Sequence, residues 1–480
     1  MYNSKTTYDS GFHPIIILSF FWGFCFFYFN GHPLFNDYDT AWHIAAGDLI
    51  RQLGDLPKTN YWAFSAVDTI WYNISWLWDV IISLIAQYLG LNSLYYFNAL
   101  FYALILAAVS YGLVIRNCQL SAIAITVLIL TIVLWNQICL RPYSYSFLMI
   151  VLFQAFLYQY NINKKLIYLL ILPVMMVSWV NIHGGFIGGF ILIGAYGLSA
   201  LANQSWKEVI FLAITGILCL VSALINPYGI DIYRGISSTT ASAFTAHIDE
   251  WRKFAFGSDW TITLYLFLFL ITFNIREKSI YLADRILAII WLIAGFMYVR
   301  NMPIFALCSA PFIAGNLSAS GILRKLPDIN TSKLRVCSFI TVVVLIAVMI
   351  TPQISSRIIT KDIIANYRLP INLVKFIKEK YPKNNFLNDY GLGAYLIYHT
   401  RGEIPVFIDG RAGTAYPEEV LNDYWLLGLT LPNLNDYILL RHKINGVIAY
   451  SSKPKNMIFA NKSGWKQVFV DNNFTVYVKE

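Results

Sequence analysis

Twelve apolar runs, each long enough to cross or nearly cross a hydrocarbon core of about 30 Å, constrain this chain more than any other feature. They fall near residues 14–30, 74–90, 95–115, 119–138, 143–160, 165–182, 184–203, 207–225, 260–275, 282–299, 302–317 and 335–352. In lipid the backbone has to satisfy its own hydrogen bonds, and a run of this kind does so as an α-helix. The expectation is a polytopic α-helical membrane protein with about 11–13 transmembrane helices. Composition decides one further point: 13% of the residues are charged, against about 25% in ordinary soluble domains.

The net charge of +9 comes without a clustered basic run, so it reads as lysine and arginine in cytoplasmic loops, and nucleic acid is not expected as a partner. Arg116, Lys164 with Lys165, Lys207, Arg276 with Lys278, and Arg324 with Lys325 are expected inside. Alternation then puts Arg141-Pro142, His183-Gly184-Gly185, the loop from Asn226, Arg300-Asn301 and the tail outside. One early segment has to be partial or re-entrant for Arg116 to end inside. The first run has no small-residue cleavage pattern after it and reads as a retained helix. The six cysteines show no C-x-x-C spacing and read as small buried hydrophobes.

Two polar interruptions, near 31–73 and 226–259, and a tail from about 353 complete the organisation. We expect a transmembrane domain over 1–352, with its first outer loop at 31–73, and a small C-terminal extracytoplasmic α/β domain over 353–480. Within the tail, 406–408, 446–450 and 474–478 read as strands and 369–381 as a helix.

Directly after the first run comes Asn36-Asp37-Tyr38-Asp39-Thr40-Ala41-Trp42-His43. Carboxylates are costly beside lipid, so a pair at a membrane boundary points to chemistry. Extended backbone would turn Asp37 and Asp39 to one face, able to reach one hydroxyl or one hard cation such as Mg²⁺ or Mn²⁺. His43 follows one helical turn beyond Asp39. The blander alternative has Asp39 or Thr40 capping the next helix and Asp37 solvated, which accounts for one acid and not both. Trp42, Ala46, Leu49, Ile50 and Leu53 share a helical face, and Gly54 with Pro57 can end it. That pattern predicts a short amphipathic helix lying on the outer membrane surface.

A long outer loop after the first membrane helix, opening with paired acids and carrying an interfacial helix, resembles the GT-C superfamily of integral membrane glycosyltransferases, including protein mannosyltransferase and aminoarabinose transferase relatives. The run from Asp37 through Trp42-His43, Gly47, Gly54, Pro57 and Trp76-Leu77 is similar to a group of uncharacterised bacterial membrane proteins near that superfamily. The resemblance is specific over about residues 14–80 and architectural beyond. It implies transfer of a sugar from a polyprenyl-phosphate donor to an envelope glycan, lipid or protein. The reaction would take place on the outer face of the bacterial cytoplasmic (inner) membrane. It also implies a base or metal-ligand role for Asp37 and Asp39, with His43 as a helper. Asn388-Asp389-Tyr390-Gly391-x-Gly393 partly resembles the W-W-D-Y-G motif of oligosaccharyltransferases, but both tryptophans are missing, so no peptide acceptor is implied.

Further residues carry paired readings. Arg141 and Arg300 sit at helix ends on the expected outer side, where a guanidinium fork could hold a lipid-linked phosphate or snorkel into headgroups. Asn181 and His183, at a helix end before two glycines, could bind phosphate or a sugar hydroxyl, or simply end the helix. In the tail, Asp389, Asp409 and Arg411 either meet the acceptor or close turns. His247-Ile248-Asp249-Glu250-Trp251 reads as a solvated loop, with acceptor contacts as the alternative, and Asp79 as facing the outer interface. Two other functions stay open: a transporter or flippase of a lipid-linked or anionic solute, which predicts ionisable residues deep in the helices, and a non-catalytic envelope scaffold.

Overall fold

The structure, a computed structural model, describes residues 13–240, 247–273, 281–320, 371–427, 432–452 and 458–480, with isolated positions 242, 245, 323, 334, 336, 337 and 340. Helices occupy most of it. In chain order they begin α1 (Pro14–Asn30), α2 (Asp39–Leu53), α3 (Trp76–Leu89), α4 (Leu91–Val114), α5 (Leu120–Trp135), α6 (Tyr143–Asn163) and α7 (Ile167–Ile182). They continue with α8 (Ile187–Ala202), α9 (Trp206–Ser222), α10 (Ile232–Thr240), α11 (Trp260–Phe273), α12 (Leu282–Met297) and α13 (Met302–Ala319). Among the described residues the apolar runs up to 302–317 are largely helical; the run at 335–352 lies outside the described residues save for isolated positions. Among the described residues, the segments Leu91–Val114, Gly184–Ala202 and Val299–Ala319 are long and apolar enough to cross a membrane. α3 has 14 residues, about 21 Å at 1.5 Å per residue, short of a full crossing.

The chain divides into two compact units. The first comprises Met1–His32, Tyr95–Ile225 and Asp249–Lys361. Its centre is α13, buried along nearly its whole length and packed on α5, α6, α11 and α12. One buried polar network crosses it. Arg116 makes a two-pronged contact with Asp284 (Nε to Oδ2 3.0 Å, Nη2 to Oδ1 2.9 Å), and Gln154 Nε2 donates to Asp284 Oδ1 at 2.9 Å. The Tyr158 ring lies 4.1 Å from the guanidinium. Charge, countercharge and hydrogen bonds are matched here, which is what a buried ion pair needs in order not to destabilise.

The second unit comprises Pro33–Leu94, Asn226–Ile248 and Asp362–Glu480. Its tail adds α14 (Ile371–Lys380), β1 (Phe386–Leu387), α15 (Tyr390–Thr400), α16 (Glu418–Leu426), α17 (Pro432–Arg441), β2 (Gly446–Tyr450), β3 (Trp465–Val470) and β4 (Phe474–Lys479). The sheet order is β1-β2-β4-β3, with β1 parallel to β2 and the other pairs antiparallel. β2 and β4 are central and buried on both faces, whereas β3 is the exposed edge. The segment 406–408, expected as a strand, is fully buried but contributes only isolated bridges from Val406 to Ala63 and Phe386. Its burial explains the apolar run, and the ladder is cut short because the chain turns at Asp409-Gly410.

α2 ends on Gly54, whose φ of +65° suits a residue without Cβ and lets its N–H reach the Ile50 carbonyl. The helix packs on both α3 and α15. It is therefore covered on two sides, with His43, expected off the apolar face, only 3% exposed. Beside it, residues 59–72 run along the tail: Val406 N–H donates to Trp62 O at 2.8 Å, Phe64 N–H to Val406 O at 3.1 Å and Tyr72 N–H to Thr414 O at 3.2 Å.

Candidate functional site

Three flagged segments meet inside the second unit. The Tyr38 ring reaches 3.0 Å from where a Cβ on Gly391 would stand, and a Cβ on Gly410 would collide with the Asp39 carboxylate, its Cγ 2.8 Å away. Asp39 is thus seated on the backbone of the Asp409-Gly410-Arg411 turn. The Tyr390 hydroxyl closes the arrangement by donating to Gly410 O at 3.1 Å. Asp37 accepts the Asp39 N–H on Oδ1 at 3.3 Å, so Asp37, not Asp39, lends a carboxylate to the start of α2, and the Asp39 side chain is turned to the tail. Asp389 precedes α15 as its N-cap residue. The Tyr424 hydroxyl lies 3.4 Å from its Oδ1 and accepts the Tyr390 N–H at 3.0 Å.

The turn that carries Gly410 is held by a buried cluster. Arg411 donates to Asp409 through Nε (2.8 Å) and Nη2 (2.6 Å), and to Asn60 Oδ1 at 2.8 Å. The Tyr416 hydroxyl also donates to Asp409 Oδ2. The Trp62 and Trp71 rings face the guanidinium at 4.9 and 4.5 Å. Burial works against the Arg411 charge, but the Asp409 carboxylate more than offsets it, and the net shift of its pKa is upward. Asp409 and Arg411 therefore answer each other.

His43 belongs to a different contact. Its Nδ1 lies 2.6 Å from Asp79 Oδ1, and Asn73 Nδ2 donates to Asp79 Oδ2 at 2.8 Å. Asp79, expected at an interface, is 0% exposed. Removing the ring would leave a buried carboxylate short of a partner. His43→Ala is expected to cost of order 3 kcal/mol of stability, read as a lower unfolding temperature in detergent, with turnover per folded molecule kept within about threefold. A hundredfold fall in turnover at unchanged stability would return His43 to the chemistry.

The basic candidates lie in the first unit. Arg141 precedes Pro142 and α6, and Arg300 lies on a short turn before α13. Both point to one carboxylate, Glu250: Arg141 Nη1 to Oε2 is 3.5 Å and Arg300 Nη1 to Oε1 is 3.6 Å. The Arg300 guanidinium also lies 4.3 Å from the centre of the Trp251 ring. Glu250 lies in the stretch 247–251 that reads as a solvated loop or an acceptor contact, and nothing in the spacing of 141, 250 and 300 signals the convergence. His183 Nδ1 accepts the Gly185 N–H at 3.1 Å and lies 2.7 Å from Ser146 Oγ, which itself accepts from Trp179 Nε1 at 2.7 Å. Two donors on Nδ1 put the ring proton on Nε2. Asn181 Nδ2 donates to Val177 O and Ile225 O at 2.7 and 2.8 Å, tying the ends of α7 and α9.

No family model matches this chain, and no curated protein matches it. Solved structures do. The oligosaccharyltransferase of Archaeoglobus fulgidus superposes with a TM-score of 0.60 at 11% identity, covering 93% of this chain and 70% of that one. The same organism's oligosaccharyltransferase AglB, in complex with an inhibitory peptide and a dolichol-phosphate, gives 0.57 at 10% identity, over 91% and 69%. ArnT from Cupriavidus metallidurans, bound to undecaprenyl phosphate, gives 0.51 at 13% identity, over 96% of both chains. At such identities the likeness is one of fold. The chain shares the fold of these structures and is an integral membrane protein with a small C-terminal α/β region.

Proposed function

We propose that this chain is a membrane glycosyltransferase that moves a sugar from a polyprenyl-phosphate donor to a hydroxyl of an envelope glycan, lipid or protein. Transfer takes place on the outer face of the bacterial cytoplasmic membrane, with the C-terminal region outside. The observation that carries the reading is the convergence of Arg141 and Arg300 on one carboxylate, because two guanidiniums bridged by one anion suit a phosphate. The shared fold with AglB and ArnT, whose structures hold polyprenyl phosphates, supports it.

In this reading the acceptor hydroxyl gives its proton to Asp39 or Asp37, and its oxygen bonds to the anomeric carbon. The bond from that carbon to the phosphate oxygen breaks, and polyprenyl phosphate leaves with the electron pair, held by Arg141 and Arg300. His183 and Asn181 are donor-side contacts, and Asp389 meets the acceptor. Among the described residues no three His, Cys, Asp or Glu side chains form a metal cage. Mg²⁺ is commonly held by one or two carboxylates and several waters, so Asp37 and Asp39 would hold Mg²⁺ or Mn²⁺, which would supply positive charge there. The test is a mass-spectrometric comparison of envelope lipids and glycans from cells with and without the gene. One glycosyl increment should vanish from an envelope species while a polyprenyl-phosphate sugar accumulates. Identical profiles would sink the reading.

A further inference from the structure

Glu250 belongs to a short helical turn, Asp249–Trp251, that the backbone ties to the stretch around Arg300. Val299 N–H donates to Arg252 O at 2.9 Å and Phe254 N–H to Phe296 O at 3.2 Å. Trp251, next in sequence, stacks beneath the Arg300 guanidinium. The carboxylate is therefore delivered to the arginines by its own anchored turn. Yet its contacts of 3.5 and 3.6 Å exceed the 2.7–2.9 Å of a charge-assisted hydrogen bond. The Glu250 side chain is also 37% exposed. It lends its charge to the pair more than it occupies their donors.

We infer that Glu250 is an internal counter-anion that reduces this site's electrostatic preference for the dianionic phosphate monoester of a product over the monoanionic phosphodiester of a donor. The inference rests on the reading of Arg141 and Arg300 as phosphate-binding residues. The two guanidiniums each carry a positive charge, and Glu250 offsets part of it with a negative one. Once the sugar has left, the phosphate is a monoester of charge about −1.5 to −2 at pH 7, and it meets the same Glu250 with up to twice the charge. Coulomb energy scales with the product of charges, so the repulsion from Glu250 is up to twice as large for the product as for the donor. The attraction from the arginines doubles as well, so Glu250 narrows the gain in affinity that the product would otherwise have over the donor.

The test uses the full-length protein in lipid nanodiscs with two synthetic probes, undecaprenyl phosphate and its methyl phosphodiester, titrated at pH 8 and read by native mass spectrometry. Because free energies scale with charge, Glu250→Gln should tighten the methyl diester by about threefold and undecaprenyl phosphate by about tenfold, the square of the first factor. Glu250→Ala should move both in the same direction, which separates lost charge from any contact made by the new amide. The double variant Arg141→Ala/Arg300→Ala should lose both lipids. If binding needs the arginines but Glu250→Gln leaves the ratio of the two affinities unchanged, the counter-anion role is overturned while the phosphate site stands. If the double arginine variant binds both lipids as the wild type does, the phosphate site falls, and the inference with it.

Discussion

Asp39→Asn, present in membranes at the wild-type level, is expected to lower glycosyl transfer by about 10²–10⁴-fold, the usual contribution of a positioned base. The carboxamide keeps the shape of the side chain and loses the capacity to take a proton. Asp37→Asn keeps the acceptor for the Asp39 N–H, a capping role that asparagine fills as well as aspartate does, so any loss it shows measures the share of Asp37 in taking the proton or holding a cation. The third arm is Gly410→Ala. A methyl group there collides with the Asp39 carboxylate, the mobile end of a side chain, so the fold should accept it while the acid is displaced. Its activity should approach that of Asp39→Asn with normal abundance. The measurement is transfer in isolated membranes, normalised to protein by immunoblot. Full activity in both Asp37→Asn and Asp39→Asn would remove the acids from the mechanism, and a fully active Gly410→Ala would show that the seat over Gly410 is not where Asp39 acts.

What the sequence made legible follows from how locally each feature is encoded. A long apolar run has one backbone solution in lipid, and the runs from 14–30 to 302–317 duly lie within a few residues of observed helices. The acids at 37 and 39 announced themselves because charge is scarce in this chain. Pairings between distant segments left no such trace. Arg411 donates to Asn60 across 351 residues, and no period or motif tells that the first loop and the tail share one compact unit. Arg116 reads as a charge at a helix end, and nothing in the sequence names Asp284 as its partner. Asp79 and His43 read separately as an interfacial acid and a helper base, yet each is the other's buried partner. Amphipathic periodicity reports that a face of α2 is covered, not what covers it; the structure supplies α3 and α15.

The buried pair beneath Gly410 is expected to be the most sensitive point of the second unit. Asp409→Asn leaves the Arg411 guanidinium charged and fully buried, and breaking one partner of such a pair costs about 3–5 kcal/mol, a large share of a total stability of about 5–15 kcal/mol. The expected result is a sharp fall in membrane abundance and in unfolding temperature in detergent, with transfer falling in parallel. Replacing both partners, as Asp409→Leu/Arg411→Met, should recover at least half of the lost stability. No charge is then stranded, although Asn60 and Tyr416 each lose a hydrogen bond. This pattern separates two roles that the sequence left open for the pair. A structural pair gives a single variant that is scarce and a double variant that is restored in abundance. An acceptor-binding acid would give an Asp409→Asn protein as abundant and as stable as the wild type, yet poor in transfer, and a double variant no better. The matched geometry, in which Arg411 places both Nε and Nη2 on Asp409 beside two tryptophan rings, favours the first outcome, because the two charges answer each other.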